Sequence, residues 1–284
     1  MNIITFDIEE WFHILDNQST KTVDDWQNYE RRLDANVDRI LKLLYECDLQ
    51  ATFFCLGWVA REFPQVIKRI VGQGHEVATH SDHHQLAYEQ TPSEFRADLD
   101  NSIKSLEDAS GQRIRAYRAP GFSLKEENSW VFEELIRAGI EVDCSIFPAK
   151  RSHGGFSRFG SNTPSLVKTD AGTIREFPIN TKKIFGGNMI FSGGGYFRLL
   201  PTWLLKRFIQ DENYVMTYFH PRDFDPEQPM ISELSWIRRF KSYYGLKGAQ
   251  EKLELLLKSF EFLSLSEAEK KIDWETLPII SVPR

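Results

Sequence analysis

The sequence predicts an α/β fold in a single domain, with a parallel sheet that closes into a barrel. Short apolar segments alternate with amphipathic helical segments about four times in the first half of the chain. The 284 residues, 41% of them hydrophobic, are enough to bury one large core. No internal repeat, low-complexity tract or linker divides the chain. We therefore treat 1–284 as one domain, with 225–284 as a C-terminal helical extension that completes the barrel.

The predicted elements follow from apolar periodicity and from turn residues. Strands are expected at 1–6 (MNIITF), 51–57 (ATFFCLG), 75–80 (HEVATH), 113–117 (RIRAY), 140–145 (IEVDCS) and 214–220 (YVMTYFH), with a hairpin over 166–178 that turns at 170–172. Helices are expected at 31–46, 63–74, 92–107, 129–139, 201–210 and 248–260. The helix at 92 has the clearest start, because Thr91, Pro92 and Glu94 form a capping box with proline in the first turn.

Charge and composition exclude several classes of function. The net charge is −6 and no basic patch is present, so nucleic acid is not an expected partner. The first residues do not read as a signal peptide, and no apolar run is long enough to span a membrane, so we expect a cytoplasmic protein. The three scattered cysteines predict reduced thiols and no disulfide framework. The oligomeric state stays open, a homo-oligomer included.

Polar, titratable side chains follow five of the predicted strands. Because the carboxyl ends of parallel strands meet at one end of a barrel, these side chains are expected to lie close together. A packed core has no use for them, since an unpaired buried charge is costly. The clusters are 7–10 (DIEE), 80–84 (HSDHH), Arg118, Asp143 and His220.

The second cluster holds three of the seven histidines of the chain and suggests a metal site. Histidines four apart share one face of a helical turn, which favours His80 with His84; His80 with His83 is the competing pair. A carboxylate, Asp7 or Glu9, is the expected third ligand. Residues two apart at a strand end point the same way, so one can bind the metal while the other acts as a base. Among divalent ions, two histidines and a carboxylate favour zinc.

The ordered motifs resemble those of the polysaccharide deacetylases of carbohydrate esterase family four, the NodB-homology domain. The segments that carry the resemblance are TFDIEEWF, ATFFCLG, HEVATHSDHH, RAPGF, DCSIFP and YFHPRDFD. SGGGYFRLLP and the C-terminal segments FKSYYGL and LLLKSFEFLSLSE resemble a subgroup of bacterial exopolysaccharide or surface-glycan loci. The resemblance covers nearly the whole chain. It implies a distorted (β/α)7 barrel and metal-dependent hydrolysis of the N-acetyl group of an amino sugar, with release of acetate.

The resemblance also implies a role for each motif residue. His80 and His84 would bind the metal, and Asp7 would be the catalytic base. Arg118 would orient Asp7, and His220 would be the general acid that protonates the leaving amine.

Further residues would contact the substrate or support the site. Gly121 and Phe122 of the RAPGF segment would meet the substrate, Phe122 through a backbone N–H donated to the oxyanion. Asp143 would tune the surrounding charges. Trp11 and Tyr196 would line a sugar groove, because aromatic faces stack on sugars.

The chain departs from the family pattern at one position. The usual first motif has two adjacent aspartates, a base and then a metal ligand, whereas Ile8 follows Asp7 in this chain. Isoleucine cannot bind a metal. The spacing of Asp7 and Glu9 resembles a branch in which the second acid of an Asp-x-acid pair is the ligand, so Glu9 is assigned to the metal. Glu10 is the fallback, although it is expected to point to the opposite face.

The leading expectation is an N-deacetylase acting on an N-acetylated sugar or glycan during assembly of a surface polysaccharide. One alternative is a hydrolase of small cyclic amides, similar to allantoinase-like branches of the superfamily, with a tighter pocket. Another is a glycan-binding relative that has lost turnover. The retained Asp7, Arg118 and His220 argue against the last alternative.

Overall fold

A mostly parallel sheet of eight strands runs through the centre of the molecule. The computed structural model describes residues 1–15, 17–150, 153–184 and 187–282. The strands are β1 Asn2–Ile3, β2 Thr5–Ile8, β3 Thr52–Cys55, β4 Glu76–Thr79, β5 Ala116–Tyr117, β6 Val142–Asp143, β7 Ser165–Thr169, β8 Gly172–Glu176, β9 Lys182–Ile184, β10 Gly187–Met189, β11 Val215–Met216, β12 Phe262–Leu263 and β13 Ile279–Ser281. The helices are α1 Val23–Trp26, α2 Leu33–Glu46, α3 Gly57–Glu62, α4 Pro64–Gly72, α5 Pro92–Ser110, α6 Val131–Arg137, α7 Gly194–Leu199, α8 Thr202–Gln210, α9 Trp236–Tyr243, α10 Ala249–Leu257 and α11 Leu265–Lys270.

From β2 to β6 the order of the strands in the sheet follows the order of the chain, as expected for repeated strand–helix units. The large sheet runs β13-β7-β8-β6-β5-β4-β3-β2, and its pairs are parallel except for the hairpin of β7 and β8. A second sheet, β11-β1-β12, joins the first through a parallel bridge between Phe6 and Phe219. The predicted α/β class is confirmed. Among the residues that the structure describes, no strand ladder joins the two sheets, and the Phe6–Phe219 bridge is the main-chain pairing that connects them.

Apolar side chains are buried on both faces of the central strands. Phe53 of β3 packs in the large core under the helices, where its ring stacks on Phe6 at 5.2 Å. The next residue, Phe54, belongs to a second core inside the curved sheet, with Ala78 and Met216. Adjacent strand residues point to opposite faces, so a strand buried on both sides is a continuous apolar run.

The start of α5 and the turn of the β7–β8 hairpin lie where the local sequence predicts them. Thr91 Oγ1 accepts the Glu94 N–H at 3.3 Å, and Glu94 Oε2 accepts the Thr91 N–H at 2.8 Å, so α5 begins with the expected capping box. It ends at Ser110, and Gly111, which follows as the C-cap, has a φ of +67°. The hairpin turns between Thr169 and Gly172, as the sequence indicates.

Other elements were not predicted, in particular the short helices α3, α7 and α9. The segment 225–284, expected to be helical, contains α9, α10 and α11 but also two strands that pair with the sheets. None of the helices in the described ranges is both long enough and apolar enough to cross a bilayer.

Candidate functional site

Seven predicted site residues line one cavity where the central strands end. The cavity has a volume of about 340 Å³, and its lining includes Asp7, Glu9, His80, His84 and His220. A groove of about 710 Å³ adjoins it. His13, Ile14, Leu15 and His84 line both, so the groove and the cavity meet along these four residues.

Glu9, His80 and His84 form a group that could hold one metal ion. Each offers one ligand atom, and the three atoms lie within 4.8 Å of one another. His84 Nε2 is 2.6 Å from Glu9 Oε2, yet that buried oxygen accepts no hydrogen bond of regular geometry. This close contact places two of the candidate ligand atoms side by side in the cavity. Burial alone would raise the pKa of Glu9, but the charge of His84, which is in close contact, and then that of His220 hold it well below its usual value.

His80 is fixed in the tautomer that a metal ligand needs. Its Nδ1 lies 2.8 Å from the carbonyl oxygen of Arg118, and because a carbonyl can only accept, Nδ1 carries the proton. Nε2 is then the nitrogen available to an ion. Burial lowers the pKa of His80 to about 4, so the ring is neutral at physiological pH.

The expected helical turn over 80–84 is wrong. These residues form no helix, and the chain instead reverses through Ser81 and His84, which have left-handed φ angles of 72° and 57°. Ser81 Oγ accepts the His84 N–H at 3.0 Å and stabilises this turn. The rings of His80 and His84 are brought to 5.4 Å between centroids. Left-handed conformations are costly for residues other than glycine, and such strain is typical of functional sites.

The competing histidine, His83, lies outside the group. Its ring contacts Asp82 at 3.3 Å and Arg61 at 3.2 Å, and Arg61 also holds the Asp82 carboxylate at 2.6 Å. Of the two predicted pairs, His80 with His84 is therefore the one that the structure brings together with Glu9.

Asp7 and Arg118 form a buried ion pair at the floor of the cavity. Arg118 Nη1 donates to Asp7 Oδ1 at 2.6 Å and to Thr5 Oγ1 at 2.8 Å. The guanidinium is fully buried and lies 4.0 Å from the ring centre of Phe54. This contact fixes the orientation of the Asp7 carboxylate toward the cavity, which is the role that the resemblance implied for Arg118.

His220 lies close to both acids of the cavity, Asp7 and Glu9. Its Nε2 is 3.9 Å from Asp7 Oδ2 and 3.7 Å from Glu9 Oε1, and its Nδ1 is 3.2 Å from Asp223 Oδ2. Burial lowers the pKa of His220, but the hydrogen bond to Asp223 and the charges of Glu9 and Asp7 outweigh burial and raise it to about 9. The imidazole is therefore protonated at neutral pH, as a general acid must be.

Asp223 was not among the predicted site residues. Burial would raise its pKa, but Arg198, 3.5 Å away, and His220 lower it to about 2. An acid three residues after a histidine at a strand end was the sequence signal that could have revealed it.

His13 is a second residue of the cavity that received no role. Its Nδ1 accepts the Glu10 N–H at 3.3 Å, and its buried Nε2 has no partner within the described residues. Its ring stacks 5.9 Å from that of His84, and burial lowers its pKa far below the usual value. The His13 ring is therefore neutral, and its Nε2–H is a donor without a hydrogen-bond partner among the described residues at the edge of the site.

Glu10, the fallback ligand, points to the other face, as expected. Its carboxylate accepts the N–H groups of Arg32 at 2.9 Å and Leu33 at 3.1 Å, where α2 begins. Acidic groups stabilise the unsatisfied N–H groups at a helix start, so Glu10 serves α2 and not the metal group.

Asp143 does not line the cavity but stabilises a loop next to it. It accepts the Ser145 hydroxyl at 2.6 Å, and Ser145 Oγ in turn accepts the Ala119 N–H at 2.8 Å. Asp143 therefore holds the loop that follows Arg118, and its burial raises its pKa.

Gly121 and Phe122 do line the cavity, but the expected donor is engaged. The Phe122 N–H donates to the Ala119 carbonyl at 3.0 Å, so it is not free for an oxyanion. The cause is a tight turn over 120–122, in which Gly121 and Phe122 have φ angles of 62° and 54°.

The two aromatic residues predicted to line a sugar groove do not reach the cavity. Trp11 is 4% exposed, donates its indole N–H to Glu30 O at 2.9 Å and packs against Phe12, because the chain turns into the core after Glu10. Tyr196 is exposed on α7 and is absent from the cavity lining.

Solved structures with the same fold include carbohydrate-active proteins. A candidate polysaccharide deacetylase from Mycobacterium smegmatis superposes with a TM-score of 0.66 over 100% of this chain and 93% of its own, at 18% identity. A family four carbohydrate esterase pseudoenzyme from Bacillus anthracis gives a TM-score of 0.52 over 99% of this chain and 69% of its own, at 15% identity. Identities this low show the shared fold alone.

Two family profiles match adjacent parts of the sequence. Residues 17–141 match the family described as polysaccharide deacetylase, and residues 144–270 match a domain of unknown function (DUF3473). The peptidoglycan deacetylase of Helicobacter pylori is 28% identical over 113 residues, which are 40% of this chain and 38% of that protein. A peptidoglycan-N-acetylglucosamine deacetylase of Bacillus cereus is 30% identical over 97 residues, 34% of this chain and 35% of that protein.

A chitooligosaccharide deacetylase of Bradyrhizobium is 27% identical over 134 residues, 46% of this chain and 60% of that protein. The chain thus spans less than two thirds of the length of these relatives. The fold is that of the family four carbohydrate esterases. The polysaccharide deacetylase match covers the segment 17–141, which is 125 of the 284 residues. That segment contains His80, His84 and Arg118, whereas Asp7 and His220 lie on either side of it.

Proposed function

We propose that this protein is a metal-dependent hydrolase that removes the N-acetyl group of an amino sugar during surface polysaccharide biosynthesis and releases acetate. The observation that carries the proposal is the meeting of a three-ligand group with an oriented acid, Asp7, and a protonated histidine, His220, in one cavity. The named relatives act on peptidoglycan or on chitooligosaccharides, which are N-acetylated glycans.

The residues present fit a divalent ion, and zinc best. Two imidazoles and one carboxylate make the donor set of catalytic zinc sites, in which a fourth position stays open. Glu9, His80 and His84 would hold the ion. When bound, such an ion polarises the acetamide carbonyl and lowers the pKa of water toward neutrality.

The chain's own residues supply the proton transfers. Asp7, held by Arg118, takes a proton from the water whose oxygen forms the new bond to the acetyl carbon. His220 gives a proton to the sugar nitrogen as the carbon–nitrogen bond breaks, so that the products are acetate and an amine. His13 offers the N–H of its neutral ring to a polar group of the substrate, because that N–H has no partner within the described residues.

The shape of the site favours a sugar chain over a small cyclic amide. A cyclic-amide hydrolase would need a tight, closed pocket, whereas the cavity opens into the adjoining groove of about 710 Å³. The fold by itself does not establish turnover, because a structural neighbour is described as a pseudoenzyme. Product formation therefore has to be measured.

The first test is metal content by elemental analysis, with acetate release from N-acetylated oligosaccharides measured on the same samples. Wild type is expected to bind close to one equivalent and to release acetate. His84→Ala and Glu9→Ala are expected to lose both, whereas His83→Ala, the matched control outside the group, keeps the ion. Loss of the ion in His83→Ala with retention in His84→Ala would contradict the ligand assignment. Saturable sugar binding without acetate from the metal-loaded protein would establish the binding-only alternative.

A further inference from the structure

Helix α9 presents an apolar face that none of the described residues covers. No residue of this eight-residue helix is buried, and Trp236 is 79% exposed, Ile237 48% and Phe240 49%. With 3.6 residues per turn, these three side chains fall within an arc of about 100°. Tyr244 follows on the same side, and its ring packs on that of Phe240 at 4.8 Å.

The exposure of α9 does not come from loose attachment. Arg198 of α7 donates to the carbonyls of Ser242 at 2.9 Å and Lys241 at 2.8 Å, at the end of α9. Arg238 donates to Leu15 O at 2.6 Å. A Cβ at Gly195 would lie 2.9 Å from Lys241 O, so α7 and α9 approach as closely as a glycine allows. The helix is therefore held rigidly with its apolar side outward.

The opposite side of α9 belongs to the wall of the candidate active site. Arg238, Lys241 and Ser242 line the cavity. Arg198, which holds the end of the helix, also contacts Asp223, the partner of His220. The apolar face is thus the outer side of a helix whose inner side walls the cavity in which the reaction would occur.

The neighbouring helix α7, which contacts α9, also has exposed apolar side chains, and the local sequence is basic. Tyr196 and Leu199 of α7 are also exposed, and with Trp236, Ile237, Phe240 and Tyr244 they define what we call the α7–α9 face. From 236 to 250 the sequence has no acidic residue and four basic ones, in a chain of net charge −6. Arg238 and Lys241 line the cavity, whereas Arg239 and Lys247 are exposed and lie outside that lining.

We propose that the α7–α9 face docks on the surface of an anionic phospholipid bilayer. Tryptophan and tyrosine prefer the headgroup level of a bilayer, and a helix with aromatic and basic residues side by side binds anionic lipid through both kinds of side chain. A second copy of the chain is the less favourable occupant, since a twofold interface would place the same basic residues opposite each other. Docking would bring the cavity next to glycans presented at a membrane. The proposal does not depend on the function proposed above.

The test is flotation of the whole protein with lipid vesicles. Binding is expected to vesicles that contain phosphatidylglycerol, to weaken as salt is added and to be much weaker on phosphatidylcholine alone. The double variant Trp236→Ser, Phe240→Ser should bind anionic vesicles about tenfold less tightly or worse. Tyr45→Ser on α2 is the matched control, because Tyr45 is 80% exposed but lies outside the face. Circular dichroism checks that each variant is folded.

Three results would overturn the proposal. One is the absence of binding to vesicles of either composition. Another is equal binding by wild type and by the double variant. The third is a dimer, seen by light scattering without lipid, that the double variant dissociates, because a second copy would then occupy the face.

Discussion

Replacing Arg118 by methionine removes the guanidinium that contacts Asp7 while keeping much of the apolar volume of the side chain. Asp7 is 2% exposed, and Arg118 Nη1 donates to it at 2.6 Å. A carboxylate that loses its buried partner destabilises the folded state by about 3–5 kcal/mol. Since folded domains are stable by only about 5–15 kcal/mol, Arg118→Met should unfold at a much lower urea concentration than wild type.

The double variant Asp7→Asn, Arg118→Met leaves neither charge in the core. Replacing both partners of a buried ion pair often costs little, so the double variant should be more stable than Arg118→Met alone. The hydrogen bond from Arg118 to Thr5 Oγ1 is lost in both proteins and cancels in the comparison. The expected coupling between the two substitutions is about 2–3 kcal/mol.

The assay is urea unfolding at neutral pH in the presence of a chelator, followed by the fluorescence of the seven tryptophans. Catalysis is not a useful readout, because each single substitution is expected to abolish it. If the double variant loses the sum of the two single losses to within about 0.5 kcal/mol, the buried pair is not coupled and this reasoning is refuted.

Three further predictions concern packing, capping and pH. Gly57→Ala should lower the free energy of unfolding by about 1–3 kcal/mol or more, because the added Cβ would lie 2.1 Å from Asp82 Oδ1. The matched control Gly72→Ala should be neutral, because its Cβ meets nothing within 4 Å. Equal urea midpoints for the two variants would contradict this prediction. Thr91→Ala should lower stability by about 1 kcal/mol through loss of the cap of α5, and an unchanged melting temperature would argue against it. The pKa of His220 is about 9, above its usual 6.5, so its contribution to stability is complete below 6.5 and is lost as the pH rises through 9. Asp223→Asn should lower that pKa, shifting the alkaline limb of activity and the imidazole NMR titration to lower pH; an unmoved titration would refute the role of Asp223.

Features that depend on neighbouring residues along the chain were determined by the sequence alone. The alternation of apolar runs and amphipathic segments predicts the α/β class, and the capping box at Thr91 and the hairpin at 169–172 are local chemistry. The rule that parallel strands end together was sufficient to group Asp7, His80 and His220 before any coordinates were known.

Features that depend on backbone handedness and on distant partners were decided only by the tertiary structure. The positive φ of Ser81 and His84, which selects His84 over His83, has no signature in apolar spacing. Glu9 and Glu10 differ in role because the start of α2, 22 residues further along, takes the Glu10 carboxylate. The sequence suggests Trp11 as a sugar contact, but the fold buries it, and the exposure of the aromatic residues of α9 is visible only in the tertiary structure. In each case the environment of a side chain is created by contacts between segments far apart in sequence, which periodicity and propensity do not encode.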